Sequence, residues 1–99
     1  MSEPEADLLK QAVEAEHGGT ATFVQAVPVH ESHNGVTLWD GVVHVFDLHG
    51  SDSGAFRAYA WTYTGDDGAR RVFSAIHTPQ IVGPRAAVRA ALVAEVGKK

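Results

Sequence analysis

The chain predicts an α+β fold: a two-layer domain in which a four-stranded antiparallel meander carries the N- and C-terminal helices on one face, in the order α-β-β-β-β-α. Three observations lead there. Apolar residues recur at helical spacing only near the two ends of the chain. The stretch from Thr20 to His77 is rich in β-branched and aromatic residues. Finally, "HNG", "GSDSG" and "GDDG" punctuate that stretch where hairpins would turn. With 99 residues, 44% of them hydrophobic and 20% charged, residues 1–99 form a single domain with one core.

The first helix is predicted over "SEPEADLLKQAVEAEHGG". Ser2 and Glu5 have capping-box spacing, Pro4 falls in the first turn where its missing N–H costs little, and Gly18 is the stop signal. Leu8, Leu9, Ala12 and Val13 make its apolar stripe.

"TATFVQAVPVHES" and "VTLWDGVVHVFDLH" follow, with Asn34 and Gly35 as a two-residue turn. That turn pairs Phe23 with Phe46, Gln25 with His44 and Val27 with Val42. Two further strands, around "AFRAYAWTYT" and "RRVFSAIH", are joined through loops at 50–53 and 65–68. Pro84 then opens a second helix, "PRAAVRAALVAEV", which ends at Gly97. Ala86, Ala87, Ala90, Ala91 and Ala94 form one apolar stripe on it, and Val88, Leu92 and Val96 form another.

This register sorts the sheet into a face of small apolar residues and a face carrying Tyr59, Trp61 and Tyr63. The second face is too aromatic for bulk water. Two short helices cover one face of such a sheet, so the surplus apolar area predicts a lid, and a second copy across a two-fold axis is the simplest one.

The sequence therefore favours a small non-enzymatic interaction module of unspecified process. It would be homodimeric through the aromatic sheet face, the C-terminal helix, or both, and a different protein partner is a further expectation. The alternative is a small-ligand-binding protein or enzyme built on a polar row across the aromatic face: Gln25, His44, Tyr59 and Ser74, with Asp40 and Arg57 beside it and Trp61 as a wall. No nucleophile elbow, phosphate loop or carboxylate pair supports catalysis, so no catalytic residue is assigned.

The chain holds six histidines and no cysteine. In "VHESHNG", His30 and His33 sit three apart, a ligand spacing on a helix but one that divides them between opposite faces of a strand. His17 and His49, with Asp47 nearby, are the one pair that the topology brings close. A zinc site needs more donors, and no metal or cofactor is expected.

A net charge of −4 is a poor footprint for nucleic acid. The element order resembles the double-stranded RNA-binding domain, which runs helix, three strands, helix. This chain adds a strand, and its second helix begins "GPRAAVRAAL", without the lysine cluster that the family places there. The resemblance therefore implies no RNA binding. Met1 to Asp7 lacks the basic-then-apolar pattern of a secretory signal, and no apolar run reaches membrane-spanning length, so a cytoplasmic protein without a membrane partner is expected.

Overall fold

The computed structural model describes residues 4–64, 68–79 and 81–97, with backbone alone at 4, 5, 64 and 94–97. The Ser2–Glu5 capping box and most of the "GDDG" turn lie outside the described residues. The elements are α1 (Pro4–His17), β1 (Thr20–His33), β2 (Val36–His49), β3 (Arg57–Thr64), β4 (Arg70–Ile76) and α2 (Pro84–Gly97). All four strands form one open antiparallel sheet in sequence order, so the α+β class and the α-β-β-β-β-α order are as the sequence predicts.

The Asn-Gly turn forms because both residues adopt a left-handed backbone, with φ of 52° at Asn34 and 78° at Gly35. His33 faces Val36 and Phe23 faces Phe46, as expected. Between these points the register slips by one residue. Val24 is an extra residue on β1 and Leu38 is one on β2, so Gln25 faces Val45 and Val27 faces Val43. The later hairpins are also offset by one from the predicted pairing, giving Phe46 opposite Ala58 and Ala60 opposite Ser74. A one-residue slip sends a side chain to the opposite face, which redistributes the whole sheet.

The expectation of both helices on one face is corrected by the two cores. On one face, Leu9 and Val13 of α1 pack with Ala21, Phe46, Leu48, Ala58 and Ala60. On the other, Ala87 and Val88 of α2 pack with Val43, Val45, Tyr59 and Trp61. Neighbouring strand residues such as Val45 and Phe46 point to opposite sides, so the helices sandwich the sheet in three layers. Each helix buries a single stripe, which is what an amphipathic helix on a sheet requires.

Local contacts fix α1. Its end turns through Gly18 and Gly19, both left-handed. A Cβ at Gly19 would sit 2.3 Å from the carbonyl oxygen of His49, so no side chain fits there. The Asp52 N–H caps the carbonyl of His17 at 2.9 Å, and Glu14 accepts from the Ala21 N–H at 2.8 Å. Helix, first strand and the β2–β3 loop are thereby tied at one end of the sheet.

Candidate functional site

The altered register disperses the predicted polar row. His44, Ala60 and Ser74 share the α1 face, whereas Tyr59, Trp61 and Arg57 share the α2 face. Gln25 is exposed on the α2 face opposite Val45. Asp40 is exposed opposite His30, with 3.8 Å between Oδ1 and Nδ1.

Several of these groups have local partners. Ser74 donates to Glu16 Oε2 at 2.6 Å, and its oxygen lies 3.0 Å from His17 Nε2. With its only hydrogen given to Glu16, the hydroxyl accepts from the imidazole N–H. Arg57 pairs with Asp47 at 3.3 Å. The Tyr59 hydroxyl lies 2.9 Å from His77 Nδ1, and burial pushes its ionisation above the ordinary 10.0, against a smaller opposing pull from Arg57. These arrangements anchor elements to one another and leave no nucleophile beside a base. His17 is committed to Ser74, and among the described residues no group of three or more His, Asp or Glu side chains is placed to hold a metal ion.

The aromatic rings are not awaiting a lid. Tyr59 and Trp61 are 1% and 3% exposed within the single chain, beneath α2. The surplus apolar surface lies instead on the α1 face. Because α1 crosses only the end of the sheet near Gly19, the far half of that face is bare. There Phe23 is 46% and Val42 44% exposed, with exposed Ala26 and Pro28 between them and Val72 at 36% across the sheet. His44 lies at the centre of this region, 2% exposed, with the Phe23 ring 5.6 Å away. Burying an uncharged imidazole and an aromatic ring together creates a patch of low polarity.

A second feature lies on the α2 face. Pairing of β2 with β3 ends at His44–Ala60, while β1–β2 continues to the Asn-Gly turn and β3–β4 to Thr64–Arg70. The two hairpins therefore diverge. A cleft of ≈ 390 Å³ occupies the wedge, with Trp39, Trp61, Tyr63 and Phe73 as walls and Val88 and Leu92 of α2 above. Trp39 and Trp61 meet edge to face at 6.3 Å, and Trp61 stacks on Phe73 at 5.9 Å. Of the cleft residues, sequence reasoning named Trp61 alone as a ligand wall. The available signal for Trp39 was Gly41, since a glycine inside a strand marks a close approach. A Cβ there would lie 2.6 Å from Trp39 Cζ2.

Comparison with known proteins finds no family model, no curated protein and no solved structure that matches this chain. No helix among the described residues is long and apolar enough to cross a membrane.

Proposed function

We propose that this chain is a small non-enzymatic interaction module that self-associates through the bare half of its α1 face. The observation that carries the reading is the joint exposure of Phe23 and Val42, large apolar side chains on adjacent strands of a sheet face that α1 leaves half covered. Phe23, Ala26, Pro28 and Val42 carry no charge, so a two-fold axis can bring the patch against itself without like-charge repulsion. Sheet faces pack well on one another at about 10 Å separation, which such side chains fill. The dispersal of the polar row supports a binding role over a catalytic one.

Light scattering coupled to size exclusion tests this. The mass expected at high micromolar concentration is twice the 10.5 kDa protomer. Val42→Glu should return the chain to one protomer with an unchanged circular dichroism spectrum. A native chain that stays monomeric at that concentration overturns the proposal.

A further inference from the structure

We infer that the cleft between the two hairpins is a binding site for a planar aromatic molecule bearing a carboxylate, a property separate from self-association on the opposite face. Three observations converge on it.

The cleft is built to stay open. Trp39 is held over Gly41, where even a methyl group would collide with it, and its ring is braced against Trp61. The diverging hairpins hold the walls apart, and α2 closes the top. Its volume of ≈ 390 Å³ falls in the range of small-molecule sites, roughly 300–1,000 Å³.

The walls select a flat apolar body. Tyr63 and Phe73 meet edge to face at 6.0 Å and are only half buried, so their remaining ring surface faces the cleft beside Leu92. Offset or edge contacts with a planar guest are the geometry such rings favour.

The charge selects an anion. Arg71, exposed on β4 opposite Tyr63, is the only cleft residue among those described that is ionised at neutral pH. No carboxylate lines the described walls. A guanidinium beside an aromatic slot matches a carboxylate geometrically as well as electrostatically, because its planar fork can donate two parallel hydrogen bonds.

The chain's only two tryptophans, Trp39 and Trp61, both line the cleft, so their indole N–H resonances report on it directly. Naphthalene-2-carboxylate and the uncharged naphthalene-2-carboxamide are titrated into the native chain. Both indole signals should shift saturably, with the carboxylate binding about fivefold tighter or more, as a charge-assisted contact provides. Arg71→Gln, at an exposed position, should erase that preference while leaving the unliganded indole spectrum in place. Absence of any shift at millimolar probe, equal affinity for acid and amide, or a preference that survives Arg71→Gln would each overturn the assignment.

Discussion

Arg89 on α2 donates its Nε–H to Glu31 on β1 at 2.6 Å, linking residues 58 positions apart. Glu31 is only 7% exposed, and Arg85 approaches its other oxygen at 3.4 Å. A carboxylate withdrawn from water needs such partners, so this pair fixes where α2 sits over the sheet. In "VHESHNG" it is the glutamate, not the flanking histidines, that is buried. Urea denaturation of Glu31→Gln, Arg89→Ala and the double variant should give a coupling energy of about 1 kcal/mol. Additive effects would mean that the contact is incidental.

Gly41→Ala should destabilise the fold by about 1–3 kcal/mol, the cost of overpacking a closely fitted site. The added methyl must displace the Trp39 ring, which lies 2.6 Å from its position. Both tryptophan indole resonances should move, because the two rings touch. An unshifted spectrum would contradict the placement of Trp39.

Glu14 accepts from Lys10 Nζ at 2.7 Å and from the Ala21 N–H at 2.8 Å. The Lys10 hydrogen bond first, and then the Ala21 bond, hold its carboxyl below the ordinary 4.5. A lowered folded-state value means the contribution is present above pH 4.5 and is lost as pH falls through the folded value. Glu14→Gln should therefore flatten the acid limb of the stability profile below pH 4.5 and leave its slope near neutrality unchanged. Thermal melts across that range check this.

Leu8 and Leu9 are adjacent in sequence and opposite in fate: Leu9 is fully buried against the sheet while Leu8 is 44% exposed. Leu9→Ala should cost about 2–5 kcal/mol by opening a cavity under α1. Leu8→Ala should cost about 0.5 kcal/mol or less. A reversal of the two in chemical denaturation would mean that α1 docks through its other side.

The element order was legible because each boundary has its own chemistry: Asn34-Gly35 for the turn, Gly18 for the end of α1, Pro84 for the start of α2. Side assignment was not. Val24 and Leu38 look like ordinary strand residues, yet as bulges they shift every pairing between Phe23 and Ser32. Loop lengths after β2 and β3 carry the same one-residue ambiguity, and parity alone decides whether Tyr59 lies beside His44 or behind it. The surplus of apolar surface was visible in composition and pattern. Its location on the Phe23–Val42 side depended on which face each helix takes, information that resides in tertiary packing.

Isotope-filtered NMR on a sample mixing labelled and unlabelled protomers tests the central claim most directly, since only contacts between chains produce signals. The expected cross-peaks join the Val42 methyl groups of one protomer to the Phe23 ring of the other, with none from the buried Trp61. An absence of cross-peaks at millimolar protein, or cross-peaks arising instead from Val82 and Val93 around α2, would contradict self-association through the α1 face.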